Sequence, residues 1–289
     1  MTHAHGTEPR QTENRFAVFA RPVCDHPPGW LHCRTPFKPG HRVTHHTAPQ
    51  AHSDIGDVNQ RFYDHLWADT RLVHPERFNT WTLVSDLSRS HARRLEVGPG
   101  MRPRLPIADT HFVDISAPAL SALKGEGGLT HSAPISALPY ADQSFDLVCA
   151  LDIIEHVEDD EAALAELSRV AAPGARLLLS TPLHPEYWTP FDDIVGHYRR
   201  YEPAKLANLL ERHDLEIEQS AIFGMKPKSS RLNDLGMWFL QRHRPVAMKV
   251  YNRFLMPLGL RLQKPLELRP GMVATEGVEE VFLVCRRRP

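Results

Sequence analysis

The sequence predicts an α/β protein with a mainly parallel β-sheet and helices on both faces of that sheet. From residue 93 onward, short buried-type apolar runs alternate with stretches in which apolar residues recur every three or four positions. The first pattern is typical of buried strands, and the second is typical of amphipathic helices. Strands that alternate with helices pair in parallel, because each helix returns the chain to the same end of the sheet.

The predicted elements follow one another closely after residue 93. The predicted strands are 94–98, 111–115, 144–150, 176–181, 215–223 and 278–284. The predicted helices are 117–124, 158–171, 202–212 and one or two amphipathic helices within 228–262. Gly125 and Pro173-Gly174 are typical helix stops, and Pro203 suits the first turn of a helix.

Residues 1–54 differ in composition from the rest of the chain. The first 52 residues hold 8 of the 18 histidines and 7 of the 25 prolines, without a sustained helical or strand period. We therefore expect a loop-like arm over 1–54, followed by one domain over 55–289 that carries 228–262 as a helical insertion. Residues 55–90 show helical spacing of their apolar residues.

Composition excludes several classes of protein. The 289 residues are 42% apolar, with 34 Lys and Arg against 35 Asp and Glu. This amount of apolar material fills one sizeable core, and the balanced charge argues against a nucleic-acid partner. No apolar run approaches the ~20 residues of a membrane span, and the first residues lack a signal-peptide core. Four scattered cysteines do not make a disulfide framework, so we expect a cytoplasmic protein.

Two strand ends carry residues that suit a nucleoside ligand, since ligands of such sheets bind at the carboxyl ends of the strands. Glu96-Val-Gly-Pro-Gly100 ends the first strand, and its glycines allow a tight turn that a ligand can approach closely. Asp114 ends the second strand, where a carboxylate can accept both ribose hydroxyls of an adenosine. Each has a structural alternative: Gly-Pro-Gly is ordinary turn chemistry, and Asp114 can cap the following helix.

Five motifs in order resemble those of class I S-adenosylmethionine-dependent methyltransferases. They are Leu95-Glu-Val-Gly-Pro-Gly100, Val113-Asp-Ile-Ser116, Leu138-Pro-Tyr-Ala-Asp-Gln-Ser-Phe-Asp-Leu-Val148, Ile154-Glu-His-Val157 and Glu166-Leu-Ser-Arg-Val-Ala-Ala-Pro-Gly174. The resemblance covers residues 58–223 and is closest to the type 11 subgroup, which has an LPF-x-D-x-SFD block. It implies a Rossmann-like sheet of seven strands, of which the last is antiparallel.

The resemblance also implies a binding site for S-adenosyl-L-methionine. The implied contacts are Glu96, Gly98, Pro99 and Gly100 at the methionine end, Asp114 and Ile115 at the ribose and adenine, Pro134 and Ile135 at the adenine edge, and Leu151 after the fourth strand.

The sequence departs from the methyltransferase pattern in two places. Only ten residues, 101–110, separate Gly100 from the second strand, and two of them are proline, so the first helix must shrink to one turn or a loop. Ser132-Ala-Pro134 replaces the usual Asp before the adenine loop. Pro103 stands where a dinucleotide fingerprint has its third glycine, which favours an adenosyl sulfonium over a dinucleotide.

Asp152, Glu155 and His156 follow the fourth strand and would share one face of a helical turn. Such a group can hold a divalent metal. A similar D/E-x-x-E-H occurs in metal-dependent O-methyltransferases, in which a later histidine completes the site; His197 is placed to do so, with His184 as the other option. In the alternative interpretation, His156 or His197 is a general base or lines the pocket, because Glu-His-Val is common in metal-free relatives.

The loop 196–201 is the other candidate for catalysis, since Arg199 and Tyr201 can clamp a carboxylate or phosphate of a substrate. Alternatively, one of its two arginines pairs with Asp192 or Asp193 and braces the loop.

Two further segments have alternative interpretations. In similar enzymes, helices before the first strand close over the donor, which would involve Tyr63 and Trp67; core packing is the alternative. In similar enzymes, insertions such as 228–262 cap the substrate pocket. Its apolar faces, flanked by Arg242, Arg244, Lys249 and Arg253, could instead make a peripheral membrane contact or a dimer contact.

We therefore expect a methyltransferase that acts on oxygen or nitrogen of a small molecule by in-line displacement, chiefly through orientation and removal of a proton. The alternative is a non-catalytic protein that binds S-adenosylmethionine or S-adenosylhomocysteine, or an enzyme that reuses the fold for other chemistry. The missing first helix motivates this alternative. The sequence indicates neither the acceptor nor the oligomeric state.

Overall fold

A computed structural model describes residues 70–224 and 242–289, together with Tyr63, Gly236, Trp238 and Phe239. The arm predicted for 1–54, Trp67, and much of the segment 225–241 lie outside the described residues. None of the helices in the described ranges combines the length and the apolar character that a membrane span requires.

The described elements follow the predicted alternation. The strands are β1 (Arg94–Val97), β2 (Thr110–Asp114), β3 (Leu129–Ser132), β4 (Phe145–Leu151), β5 (Ala171–Pro182), β6 (Leu215–Ile222), β7 (Arg269–Pro270) and β8 (Glu280–Arg287). The helices with described bounds are α1 (Trp81–Ser90), α2 (Ala117–Gly125), α3 (Asp160–Val170), α4 (Pro190–Val195), α5 (Pro203–Arg212), α6 (Arg244–Val250) and α7 (Met256–Arg261), with a π turn (Tyr251–Leu255) between the last two.

The strands form one sheet in the order β3-β2-β1-β4-β5-β8-β6-β7. Strands β1 to β5 pair in parallel, whereas β8 runs antiparallel to both β5 and β6. The predicted mainly parallel sheet with an antiparallel last strand is confirmed, and the two-residue edge strand β7 adds an eighth member. The strand order reverses between β1 and β4, so the loops that follow these two strands border a crevice.

Helices cover both faces of the sheet, as predicted. Leu164 of α3 and Leu206 of α5 belong to the core on one face. On the other face, Val84 of α1 packs in a cluster with Leu105 and Phe282. Side chains alternate between these two clusters along each central strand, as the two-residue period of a strand requires.

The connection from β1 to β2 contains no helix, as the short spacing predicts. Leu105 and Ile107 of this connection are buried against the sheet, where Ile107 clusters with Phe112 of β2. The connection thus covers apolar sheet surface with two side chains, which is why the chain can return to β2 in so few residues.

Several element boundaries differ from the prediction, most of them by one or two residues. Helix α3 begins at Asp160 rather than 158, because the Asp159 carboxylate accepts the Ala162 N–H at 2.9 Å and caps the helix. The helix ends at Val170, since Ala171 already pairs with Phe145 and begins β5; Pro173-Gly174 therefore lies in a strand. The last strand, β8, lies two to three residues later than predicted.

Candidate active site

The turn after β1 allows two strand-end loops to approach closely. Gly98 and Gly100 have positive φ angles of 68° and 51°, a conformation that glycine adopts readily. The Gly98 N–H donates to the Val113 carbonyl at 2.8 Å. A Cβ atom on Gly98 would lie 2.2 Å from Cδ1 of Ile153, in the loop after β4. Only glycine therefore fits at position 98 while Ile153 keeps its place.

Asp114 joins this turn to the end of β2. Its Oδ2 atom accepts the Gly100 N–H at 2.9 Å, and its Oδ1 atom accepts the Ser116 N–H at 2.8 Å. Burial raises the pKa of Asp114, although these backbone bonds oppose the shift. Each carboxylate oxygen has a second lone pair, so the contacts leave acceptor capacity for hydroxyl groups. The next residue, Ile115, exposes 56% of its surface and offers an apolar platform beside that carboxylate.

The Glu96 carboxylate is hydrogen-bonded to the connection between β1 and β2. Its carboxylate accepts the backbone N–H groups of Arg104 and Leu105 at 2.9 to 3.0 Å. Burial raises the pKa of Glu96 to about 7, against the opposing effect of those bonds. The side chain is buried and stabilises the connection that has no helix.

The other implied donor contacts differ in their accessibility. Pro134 is exposed, and Leu151 is partly buried against the cluster on the α1 face. The Ile135 side chain is buried in the core on the opposite face, so position 135 can contact a ligand only through its backbone.

The loop after β4 differs from the predicted helical turn. Asp152 has a positive φ of 53° and lies before the 3₁₀ turn Ile154–His156, so it does not share a helical face with Glu155 and His156. The Asp152 carboxylate accepts the Ser180 hydroxyl at 2.6 Å. The buried Glu155 carboxylate accepts the Thr181 hydroxyl at 3.4 Å. Burial, followed by the neighbouring Asp152 carboxylate, raises the pKa of Glu155 well above its usual range.

His156 and His197 lie side by side, with ring centroids 4.5 Å apart. Nδ1–H of His156 donates to the Gly196 carbonyl at 3.3 Å, and Nδ1–H of His197 donates to the Asp192 carboxylate at 2.8 Å. In the neutral rings these contacts leave the lone pair on Nε2. The Tyr63 hydroxyl lies 3.4 Å from Nε2 of His156. Burial, reinforced by His197, lowers the pKa of His156 to about 3, so this ring is neutral.

The two histidines and Glu155 suit a divalent metal. One candidate ligand atom from each of Glu155, His156 and His197 lies within 4.8 Å of the others. One carboxylate and two imidazoles are ordinary ligands of zinc and other transition metals, and histidine ligands usually have their second nitrogen bonded as here. The predicted fourth ligand, Asp152, lies outside this group. His184 does too, and its Nε2 atom lies 2.8 Å from the Thr275 carbonyl.

Asp192 anchors the loop that carries His197. The Arg200 guanidinium bonds both carboxylate oxygens of Asp192, at 2.8 and 3.0 Å, and both side chains are buried. The Thr189 hydroxyl and N–H also donate to Asp192 at the start of α4. Burial alone would raise the pKa of Asp192, but the bonds from His197 and Arg200 prevail and hold it well below its usual range. The bracing role considered for one arginine of this loop is confirmed for Arg200.

Arg199 and Tyr201 contact the fold around the β4–α3 connection. Arg199 pairs with Asp160 at 2.6 Å and donates to the Val157 and Glu158 carbonyls. The buried Tyr201 hydroxyl donates to the same Asp160 at 2.8 Å. Both side chains therefore hold the His197 loop against the start of α3.

Several residues around these histidines are not among the predicted site residues. The sequence indicates Asp192 only as a partner of arginine, and it does not place Ser180 or Thr181 in the site. A signal for Ser180 and Thr181 exists in the sequence, since these two hydroxyl residues directly follow the three leucines 177–179.

Helix α6 lies against the turn after β1 and the end of α4. Its residues Ala247 and Met248 are buried in one cluster with Met101, beside the glycine turn, and Val195, at the end of α4; Tyr63 packs against the same cluster. The segment after β6 therefore contacts the loops that carry the candidate site.

Residues 95–179 match the family model named methyltransferase domain. This segment of the chain therefore resembles a methyltransferase domain. The structure is similar to that of a SAM-dependent methyltransferase from Thermotoga maritima. The TM-score is 0.51 and the sequence identity is 16%, over 81% of this chain and 96% of that chain. At that identity the similarity supports the fold of the domain.

Curated relatives match parts of this chain. The protein YafE of Escherichia coli, itself uncharacterised, is 28% identical over 116 residues, which are 37% of this chain and 56% of YafE. Norajmaline N-methyltransferase of Rauvolfia serpentina is 49% identical over 47 residues, which are 16% of each chain. The chain thus spans 56% or less of the length of these relatives.

Proposed function

We propose that this chain transfers the methyl group of S-adenosylmethionine to an oxygen or nitrogen atom of a small-molecule acceptor. The observation that carries the proposal is that the matched methyltransferase domain, residues 95–179, contributes both the Gly98–Gly100 turn with Asp114 and the turn with His156. These loops follow β1, β2 and β4, whose carboxyl ends lie at the same edge of the sheet.

The residues present suit an adenosyl sulfonium. Asp114 would accept ribose hydroxyls through its remaining lone pairs, Ile115 would pack on the adenine, and the turn at 98–100 would bring backbone close to the methionine portion. The bound cofactor supplies a methyl group on a positively charged sulfur. The acceptor atom would bond to this methyl carbon as the carbon–sulfur bond breaks.

His197 is the group we assign to removal of the acceptor's proton. The Asp192 carboxylate fixes Nδ1–H of His197, so Nε2 takes up the proton, and the resulting imidazolium is stabilised by the same carboxylate. Arg200 and Thr189 keep Asp192 ionised and in place. This arrangement both orients the base and stabilises its positive charge once it is protonated.

A metal-assisted route is the second candidate, favoured by the closeness of candidate ligand atoms from Glu155, His156 and His197. A divalent ion held by these residues would lower the pKa of a bound hydroxyl group and orient its oxygen.

Calorimetry with S-adenosylmethionine and S-adenosylhomocysteine tests the donor site. We expect both to bind, and Asp114→Asn to weaken binding about tenfold or more, because an amide NH₂ faces one of two backbone N–H donors and loses acceptor capacity. Asp109→Asn, an exposed position with positive φ, is the matched control and should bind normally. Absence of binding to either molecule by the folded wild-type chain contradicts the proposal.

Turnover with a panel of small hydroxyl and amine acceptors separates an enzyme from a binding protein. We expect release of S-adenosylhomocysteine with at least one acceptor, and His197→Ala to lower kcat by roughly 10²- to 10⁴-fold. Donor binding without any turnover favours the non-catalytic alternative.

Chelation separates the two routes of proton removal. If the histidine acts as the base, activity survives excess chelator, and the wild type retains no ion after dialysis. If a metal assists, chelation abolishes activity, and both His156→Ala and His197→Ala lose the bound ion.

A further inference from the structure

Exposed apolar side chains are concentrated on the helical segment after β6. Of the eleven large apolar residues that are exposed in the described part of the chain, six lie between 238 and 262. These six are Trp238, Val246, Phe254, Leu255, Leu258 and Leu262, each exposed by 52 to 71%. Large apolar patches on a protein surface mark contacts with a partner or a membrane.

Their spacing places most of them along one side of the α6–α7 segment. Val246, Phe254, Leu258 and Leu262 are separated by multiples of four residues. Four-residue steps overshoot a full turn of an ideal α-helix by about 40° each. The intervening π turn, Tyr251–Leu255, has more residues per turn and reduces this drift. The apolar row therefore stays more nearly in line than in an uninterrupted α-helix.

The charge on this segment has one sign. Residues 235–266 contain six Lys and Arg and no Asp or Glu, although the whole chain has a formal charge of −1. The exposed members are Arg242, Lys249, Arg253, Arg261 and Lys264. Lys249, Arg253 and Arg261 follow one another at four- and eight-residue intervals beside the apolar row, so the surface is both apolar and basic.

The opposite side of the segment is fastened to the domain. Ala247, Met248 and Met256 are buried, and the first two pack with Met101 and Val195. The Arg102 guanidinium lies 5.4 Å from the Tyr251 ring centroid. The exposed row therefore faces away from the domain while the segment is held in position.

We propose that the exposed face of residues 246–262 docks on an anionic lipid bilayer. An amphipathic helix with a basic border binds in the plane of a membrane interface through apolar burial and attraction to anionic headgroups. A two-fold contact between copies of this chain would instead place like charges opposite one another, because both copies would contribute the same patch. The charge thus favours a negatively charged surface over self-association.

Docking would bring the candidate site close to the lipid, since Met101 and Val195 lie behind the same helix. In combination with the proposed function, on which this consequence rests, it favours an amphipathic acceptor that partitions into the bilayer.

Vesicle co-sedimentation of the full chain tests the proposal. Vesicles of phosphatidylcholine with about one quarter phosphatidylglycerol are compared with pure phosphatidylcholine at about 0.1 M salt. We expect at least about tenfold stronger binding to the anionic vesicles, decreasing as salt rises. Phe254→Glu/Leu258→Glu should remove most of the binding, and Lys249→Gln/Arg253→Gln should reduce the preference for anionic lipid.

Matched controls change similar residues elsewhere. Leu129→Glu/Ile222→Glu alters two exposed apolar residues, and Arg89→Gln/Lys205→Gln alters two exposed basic residues; both should bind vesicles as the wild type does. Thermal unfolding shows whether each variant is folded.

Three results would overturn the proposal. The first is that the folded wild type does not bind anionic vesicles. The second is that the variants and their controls lose vesicle binding equally. The third is that the chain binds no vesicles and instead forms a dimer in sedimentation equilibrium, which Phe254→Glu/Leu258→Glu abolishes. Calorimetry with S-adenosylhomocysteine in the absence of lipid reports separately on the donor site, so failure of docking and failure of the proposed function are distinguishable.

Discussion

A single glycine separates the two loops at the centre of the candidate site. Gly98 directly follows β1 and faces Ile153 of the loop after β4. These loops border the crevice where the strand order reverses, so a larger side chain at position 98 would change the shape of the donor site. The glycine motif was recognisable from sequence as a turn, whereas its contact with Ile153 required the paired strands.

We expect Gly98→Ala to lower the free energy of unfolding more than Gly174→Ala. Both glycines have positive φ, 68° and 79°, so each alanine adds left-handed strain of roughly 1–2 kcal/mol. Only at Gly98 does the new Cβ also meet a side chain, since nothing lies within 4 Å at Gly174. Urea denaturation measures both losses of stability. Gly98→Ala should lower the free energy of unfolding less in an Ile153→Ala background than in the wild type, because the clashing side chain is then absent. Additive effects of the two substitutions would contradict the predicted clash.

Glu96 makes stability depend on pH. Its carboxyl pKa is about 7 in the folded chain against an ordinary value of 4.5, a difference worth about 3 kcal/mol. The folded state keeps this proton up to about pH 7, while the unfolded chain loses it near 4.5. The contribution of Glu96 is therefore fully present below pH 4.5 and is lost as the pH rises to about 7.

The measurement is urea denaturation of the wild type and Glu96→Gln at about pH 5 and about pH 8. The variant lacks this titration, so its stability relative to the wild type should improve from the lower to the higher pH. Glu126→Gln, at an exposed position, controls for the loss of one carboxylate. A constant difference between wild type and Glu96→Gln at both pH values would show that Glu96 ionises normally.

At the scale of elements, helix α4 and the loop after it are organised by one buried ion pair. The Asp192 carboxylate accepts the N–H of Thr189, the residue that precedes α4, and it pairs with Arg200 beyond the helix. The same carboxylate orients His197, so the stability of the loop and the orientation of the candidate base depend on one side chain.

Arg200→Met should lower the free energy of unfolding by about 3–5 kcal/mol, because it leaves a buried carboxylate without its charged partner. Arg212→Met is the matched control: Arg212 pairs with Glu161, and both side chains are more than half exposed, so we expect a loss of at most about 1 kcal/mol. Equilibrium urea unfolding compares the two. Similar losses would mean that Arg200 and Asp192 are solvated rather than buried.

The elements that the sequence did not predict are short or exposed. Strand β3 has only four residues, none of them buried, so it lacks the apolar alternation that marks a strand. Helix α4 has six residues, too few for a helical period to emerge. The longer elements β4, α3 and α5 match the predicted bounds to within two residues, because their apolar residues repeat over several turns or fill a buried strand. Strand β5 begins at Ala171 rather than 176, because Pro173-Gly174 is typical of a helix stop and conceals its first residues.

At the scale of the whole molecule, the topology creates the site. The reversal of strand order between β1 and β4 opens a crevice at the carboxyl edge of the sheet. The loops after β1, β2 and β4 meet there, and α6 packs against two of the loops around it. Residues distant in sequence thus become neighbours: the Tyr63 hydroxyl reaches His156 across 93 positions.

Local patterns along the chain were sufficient for the α/β class, the glycine turn with Asp114, the absence of a helix between β1 and β2, and the methyltransferase resemblance. These features depend on residues that are neighbours in sequence, whose spacing and backbone preferences act before the chain folds. Only the tertiary structure decided that Asp152 lies outside the group of Glu155, His156 and His197. It also decided that Asp192 orients His197 and that a basic apolar face points outward from α6 and α7. Such contacts depend on loop conformation and strand register, which no short stretch of sequence encodes.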